Sequence, residues 1–439
     1  MTVWLLALLL GAEPMGPVAP VRPGETVITP SSTAVVAPLT VAQAVSEALA
    51  GSPAARRARL TRDNALGQVE LWRPRLRPDV NASATAEVGP LVRDPAAPRA
   101  VVRRDASLRA SLTVEQVLLA AGGDAVTRRC DATTTAAEAD YAAATAKLAH
   151  EVRLAWLDLA TAQAGAALAA EALTLAEAQA KRVEDLVTVE RVAEVDRLQA
   201  RAGVLEARAA VVEADNGVAL AQANLNRLMG RTDLSAPVAT VELNEPPAAL
   251  GDLAEALARA RERRPEILAL AARVMEARAG AELARAQTGP TLSARATLDG
   301  GTASAFDPAW DARIGVVARW PLSATDNAAA RAAQEAKGGA QMAQVGLDEL
   351  RSGVELEVRR AWLDDRAARA RFSLAEERLA AAREAYRVKM LQYDRQRATL
   401  IDVQQALVEQ RKAALDRVLA LVATHRAAAS FALATADSN

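Results

Sequence analysis

From Ala44 to Leu60 the chain reads AVSEALAGSPAARRARL, and from Glu255 to Ala271 it reads EALARARERRPEILALA. With Pro53 set on Pro265, Pro78 of RPDVNASAT falls on Pro290 of GPTLSARAT, and the register holds without a gap from Val41/Leu253 to Thr85/Thr297. Downstream, EVRLAWLD (Glu151 to Asp158) recurs as EVRRAWLD (Glu357 to Asp364); at that spacing Arg191 meets Arg397 and Asp196 meets Asp402. Two copies of one unit are the simplest explanation, and the unit is too long for a solenoid repeat. The chain therefore reads as a duplicated half-protein: residues 39–230, a linker over 231–250 that holds Pro237, Pro246 and Pro247, and residues 251–436.

Each half opens with a helix. Thr40 with Gln43, and Asp252 with Glu255, have the spacing of a capping box, in which the first side chain accepts from an orphan amide and the fourth reaches back. Each helix is expected to end as Pro78 or Pro290 approaches, because the residue before proline is pushed into extended conformation.

After each proline the period of polarity changes to two. Val80, Ala82, Ala84, Ala86 and Val88 alternate with Asn81, Ser83, Thr85 and Glu87, and Leu292, Ala294, Ala296 and Leu298 alternate with Ser293, Arg295, Thr297 and Asp299. A second alternating run follows a turn-rich loop in each half: Leu108 to Val114 after Gly89–Ala106, and Ala312 to Trp320 after Gly300–Pro308. These are one-faced strands, expected at about 79–89, 106–117, 291–300 and 309–321. Their length of about ten residues is what a tilted strand needs to cross a bilayer.

Long helix comes next. No proline occurs between Pro98 and Pro237 or after Pro321, and residues 354–439 lack glycine as well. From Asp124 to about Val189 a continuous helix would be roughly 100 Å long at ~1.5 Å per residue. Leu148, Val152, Ala155, Trp156 and Leu159, and in the other half Leu350, Val354, Val358, Ala361 and Trp362, form the stripe of side-by-side helices. Breaks near Arg191 and Arg397 would fold each rod into an antiparallel hairpin, with Trp156 and Trp362 as packing anchors.

Composition narrows the function. Basic and acidic residues number 53 and 54, so nothing suggests a nucleic-acid partner. Aromatic residues are 3% of the chain, which suits close-packed alanine-rich helices better than a bulky core. Cys130, His150 and His425 offer no metal-ligand spacing, and no nucleophile constellation, phosphate loop or carboxylate pair is present, so neither a metal, a cofactor nor catalysis is expected. MTVWLLALLLGAEPMG at the start reads as a signal peptide over 1–20, followed by a Pro-rich segment over 21–38. No later stretch reaches about 18 uninterrupted apolar residues, so any membrane crossing is expected through strands. Two strand hairpins alone cannot span a membrane, because their outer edges would leave backbone groups unpaired in hydrocarbon. Several chains must share one closed barrel, or the strands stay in water.

With these features in place, the chain resembles the TolC-like outer-membrane efflux proteins, trimeric channel-tunnels of Gram-negative bacteria. The resemblance rests on LTVAQAVSEALAGSP (Leu39 to Pro53), RPRLRPDVNASA and AQTGPTLSARA at the strand entries, WPLSATDNAAARAAQEA (Trp320 to Ala336), EVRLAWLDLATAQ and EVRRAWLDD, taken in order and in duplicate. It implies a mostly α fold with a small transmembrane β part: four strands per protomer, twelve in a barrel shared by a homotrimer, continued as a long α-helical coiled-coil barrel into the periplasm. It also implies a periplasmic adaptor (membrane fusion) protein, an inner-membrane transporter and outer-membrane lipid as partners, in an efflux pump or a type I secretion system. Arg109, Arg295, Arg313 and Arg319 against Glu87 and Asp299 would line the barrel lumen, with Trp310 and Trp320 as candidates for an aromatic belt. The periplasmic mouth would lie at the hairpin tips, where YDRQRATLID supplies Tyr393, Arg397 and Asp402, with Arg191 and Asp196 as their first-half counterparts. Asp402 has two readings: a ring of three carboxylates that gates the mouth, or the fourth residue of a Thr399–Asp402 capping box. Glu190 and Gln396 stand where the family usually has glycine. The competing class is a non-conducting periplasmic coiled-coil scaffold or adaptor bridging the envelope.

Overall fold

A computed structural model describes residues 38–72, 78–93, 102–119, 122–188, 193–286, 289–302, 308–319, 327–395 and 397–437. The expected signal peptide, nearly all of the Pro-rich segment, Arg191, Glu190, Gln396 and Trp320 lie outside these residues. The elements are α1 (Val41–Gly51), α2 (Pro53–Trp72), β1 (Asp79–Arg93), β2 (Val102–Leu119), α3 (Gly123–Thr188), α4 (Glu194–Met229), α5 (Leu253–Arg263), α6 (Pro265–Ala286), β3 (Thr291–Thr302), β4 (Pro308–Arg319), α7 (Asn327–Asp394) and α8 (Leu400–Thr435). The order α-α-β-β-α-α thus occurs twice.

The first helix of each half is two helices, a correction to the single helix expected. Pro53 and Pro265 each occupy the first position of a new helix, where the missing N–H costs nothing. The residues before them, Ser52 (φ −67°, ψ 147°) and Arg264 (φ −67°, ψ 120°), are extended and end α1 and α5. The Thr40–Gln43 capping box forms in both directions, at 3.3 and 3.0 Å, whereas Asp252 only accepts the Ala254 amide at 3.0 Å.

α3 and α7 carry the fold. α3 is 66 residues and α7 is 68, rods of roughly 100 Å. Their halves near the sheet lie side by side with the shorter helices, α2 on α3, α3 on α6 and α6 on α7; their distal halves pack as hairpins with α4 and α8, and α3 meets α8. Windows of α3 and α8 reach mean hydropathy 1.3 and 1.4 over 18 residues, enough by composition to cross a bilayer. That value comes from alanine, and α3 is far longer than the ~30 Å hydrocarbon layer, so the seam within the hairpins accounts for it better than a lipid span.

The stripe predicted on α3 is buried, from Leu148 through Leu159, in one core with Ala44, Ala48, Leu225 and Met229; Val354, Val358 and Ala361 of α7 form a second with Ala256, Ile267 and Phe431. The two tryptophans act alike. Trp156 Nε1 donates to the Leu39 carbonyl at 2.9 Å and Trp362 Nε1 to that of Gly251 at 3.3 Å, each just before the first helix of its own half.

Residues 231–251 cross the helices as an extended strap. Gly230, at φ 81°, ends α4 in the left-handed region, and a Cβ there would approach the Gly51 carbonyl within 2.8 Å. The fully buried Asn226 donates to the Leu234 and Ala236 carbonyls (3.0 and 2.9 Å), Gln222 to Ser235, and Gln163 of α3 to Val238 while accepting from Thr240. A parallel bridge joins Thr240 to Leu39. The second part of the strap reaches α8 through His425 and α7 through Arg369, whose guanidinium donates to the Pro247 and Ala248 carbonyls at 2.9 and 2.7 Å.

The strands form one antiparallel sheet in the order β1-β2-β3-β4, with all four helix–strand junctions at the same end. β1 and β2 are longer than expected, consuming much of the predicted 89–106 loop. Between Val88 and Leu91 the register shifts by one residue, so β1 passes Gly89–Pro90 as a bulge and goes on pairing as far as Arg93/Val102.

Candidate functional site

The sheet register sorts its residues completely. Because partners across antiparallel strands share a face, Thr85↔Arg109↔Gly301, Ser111↔Asp299↔Asp311, Thr113↔Thr297↔Arg313, Glu115↔Arg295 and Thr291↔Arg319 all lie on one side. Glu87, two residues from Thr85, joins them. The six residues expected to line a lumen, Arg109, Arg295, Arg313, Arg319, Glu87 and Asp299, are therefore brought to one face.

Their pairing differs from expectation. Arg295 binds neither Glu87 nor Asp299; it donates to Glu115 of β2 from Nε and Nη2 (3.2 and 2.7 Å), and Ser293 donates to the other carboxylate oxygen at 2.8 Å. Arg313 pairs with Asp311 two residues back on its own strand. Glu115 was missed because the alternating run was read only as far as Val114; one more step of the same period would have reached it. Among the described residues Arg109 and Arg319 make no ion pair.

The opposite face holds Val80, Ala82, Leu108, Ala110, Leu112, Ala294, Leu298, Trp310, Ile314 and Val316, and nothing covers it. Ile314 is 90% exposed and Trp310 71%. The Trp310 ring lies across Gly300, where a Cβ would come within 2.4 Å of it, so only glycine fits beneath the indole. Both outer strands, β1 and β4, keep one edge unpaired within this sheet. A broad apolar face and two open edges are a combination that isolated soluble domains avoid.

The second candidate region is the pair of hairpin tips. Val183 of α3, Ala200 of α4 and Leu400 of α8 form one small buried cluster, with Tyr393 of α7 and Val187 packed on it. Tyr393 is thus part of a joint between hairpins. Arg397 is exposed in the turn, its amide donating to the Gln392 carbonyl at 2.8 Å. Asp402 closes a full capping box: its carboxylate accepts the Thr399 amide at 2.9 Å and hydroxyl at 2.8 Å, while its own amide donates back to the hydroxyl at 3.3 Å. Those Thr399 bonds hold its carboxyl below the usual aspartate range. Asp196, at the same place in α4, has no such partner, because Ala193 is the N-cap.

Above the tips a further tie joins the hairpins. Arg411 of α8 donates to the Ala172 carbonyl of α3 at 2.8 Å, half-buried among Tyr386, Arg182 and Glu206; burial pushes its guanidinium pKa down and that of the Tyr386 phenol up. No periodicity marks Arg411, since its role depends on a contact between distant segments. Among the described residues no cluster of His, Cys, Asp and Glu is arranged to hold a metal ion.

No protein-family model and no curated protein sequence matches this chain. Solved structures do. The outer-membrane protein VceC of Vibrio cholerae superimposes with a TM-score of 0.77 at 18% identity, covering 90% of this chain and 95% of that one. CusC, described in terms of folding and transmembrane channel formation, gives 0.76 at 18% identity over 91% and 92%. The open state of the MtrE outer-membrane channel of Neisseria gonorrhoeae gives 0.73 at 19% identity over 90% and 88%. Across nearly its whole described length, the chain has the fold of these outer-membrane channels, the fold implied by its resemblance to TolC-like proteins.

Proposed function

We propose that this protein is an outer-membrane channel-tunnel, passively conducting substrates delivered by an inner-membrane transporter and a periplasmic adaptor, in an efflux pump or a type I secretion system. The observation that carries this reading is the sheet, polar on one face, apolar and bare on the other, and open at both edges. In hydrocarbon every edge must be paired. Three copies, with β1 of each pairing to β4 of the next, give twelve strands around a bore. The apolar face then meets lipid, and Arg109, Arg295, Arg313, Arg319, Glu87, Asp299 and Glu115 line a water-filled passage of mixed charge.

The halves 39–230 and 251–436 are duplicated units, exported behind a cleaved 1–20 signal, and the helices of three copies continue the barrel into the periplasm. The mouth lies at the tips, with Tyr393, Arg397, Asp402, Arg191 and Asp196 around it, and Arg411 is a tie that must part for it to widen. The groove between α3 and α4, with Leu198 and Leu205 flanked by Arg201, Arg208 and Glu177, offers a coiled-coil surface for the adaptor. A periplasmic scaffold would have no use for a bare apolar sheet face.

Detergent extraction from outer membranes, sizing, and single-channel recording in planar bilayers test the proposal. A trimer with steady conductance is expected, and Arg411→Ala should raise open probability. A water-soluble monomeric rod without conductance would favour the scaffold.

A further inference from the structure

The strap over 231–251 is held at its two ends by different hairpins. Asn226 and Gln222 of α4 and Gln163 of α3 grip its first part; His425 of α8 and Arg369 and Trp362 of α7 grip its second. Amide, indole and guanidinium groups keep one charge state between pH 5 and 8. His425 alone among these holders titrates there.

Its Nε2 lies 3.0 Å from the Glu245 carbonyl, which can only accept, so Nε2 carries the hydrogen and a second proton must go to Nδ1. The surroundings disfavour that proton. On α7, Arg369 already binds Asp365 at 2.7 Å along with the strap carbonyls. On α3, Asp158 is engaged by Arg426 of α8, and His150 is half-buried against the Ala429 backbone. On the strap, Glu242 and Glu245 lie in solvent. No free carboxylate is placed to offset a cation beside Arg369.

We propose that the strap is an acid-released latch between the two helical hairpins: neutral His425 holds residues 245–248 on α7 and α8, and protonation frees that half while the half on α3 and α4 stays bound. Burial, and behind it Arg369, push the His425 pKa down in the closed state, outweighing the Glu245 carbonyl. The closed state therefore binds fewer protons than the released one. The latch is fully held above the ordinary histidine value of about 6.5 and weakens as pH falls through it. The consequence for conduction, a freer α7–α8 hairpin and a wider mouth in acid, rests on the channel reading above.

The test is hydrogen exchange of the full-length protein at pH 7.5 and 5.5, corrected for intrinsic exchange. Protection of 241–251 should drop roughly three- to tenfold in acid while 231–240 holds steady. His425→Gln keeps an amide donor but cannot titrate, and should show equal protection at both pH values; His150→Gln should retain the full loss. An unchanged wild-type strap, a loss that persists in His425→Gln, or one that disappears in His150→Gln overturns the latch. Bilayer currents separate the two claims, since a protein without current at either pH sinks the channel reading and leaves the exchange result to decide the latch.

Discussion

The two hairpin tips have an aspartate at the same place, and only one of them is committed to its own helix. At the α7–α8 tip, Thr399 and Asp402 satisfy each other's orphan groups, with Lys389 at 3.9 Å as a weak third partner. At the α3–α4 tip the N-cap is Ala193, extended at φ −75°, ψ 151° but with no side-chain acceptor, and Asp196 makes no cap bond. A capping box needs both partners, so replacing one threonine with alanine changes what the carboxylate three residues on is free to do. For a mouth built from both tips, this inverts the ranking reached from sequence: Asp196 is the available carboxylate, and Asp402 is occupied.

The largest break in this comparison comes from the core the tips share. Leu400 is 3% exposed and Val183 is fully buried, with one small cluster joining both hairpins. Leu400→Ala should cost about 2–5 kcal/mol and loosen both tips together, read as lost exchange protection in α3 and α4 as well as α8. Loss confined to α8 would mean the hairpins are not joined there. Thr399→Ala comes next, at about 1 kcal/mol, and should leave the α3–α4 tip untouched. The reverse change sharpens the contrast: Ala193→Thr meets an aspartate already standing at the reciprocal position and a backbone already extended. It should stabilise the start of α4 by about 0.5–1 kcal/mol, and a neutral result in denaturation would show that Asp196 is held elsewhere.

Strand faces were legible because the side-chain period is two and a slip of one residue would bury every charge in lipid; the register had one acceptable solution. Rod lengths were legible from the missing prolines. The breaks at Pro53 and Pro265 were present in the same letters, but the duplicated phrase around each proline read as one helix, and the restriction on Ser52 and Arg264 was overlooked. Gly89–Pro90 looked like the end of a strand, yet pairing to β2 carries the chain through it as a bulge. Glu115 was one step beyond the run that was read. Arg411, Arg369 and His425 are a different case. Each acts on the backbone of a segment more than a hundred residues away, and neither composition nor spacing encodes such a meeting.

The smallest expected effect is the pH response of the second tip. In the folded chain the Asp402 carboxyl is held below its ordinary range by the Thr399 amide and hydroxyl, with Lys389 a lesser influence. A carboxyl whose folded pKa is depressed adds stability that is complete above its unfolded pKa of about 3.9 and is lost as pH falls through the folded value. The first turn of α8 should therefore lose protection below about pH 4, while the first turn of α4, where Asp196 caps nothing, should not follow it. Thr399→Ala should flatten the α8 response, and Ala193→Thr should create one in α4. If the two wild-type tips soften in parallel on acidification, the capping box is not what distinguishes them, and Asp402 is as free to line the mouth as Asp196.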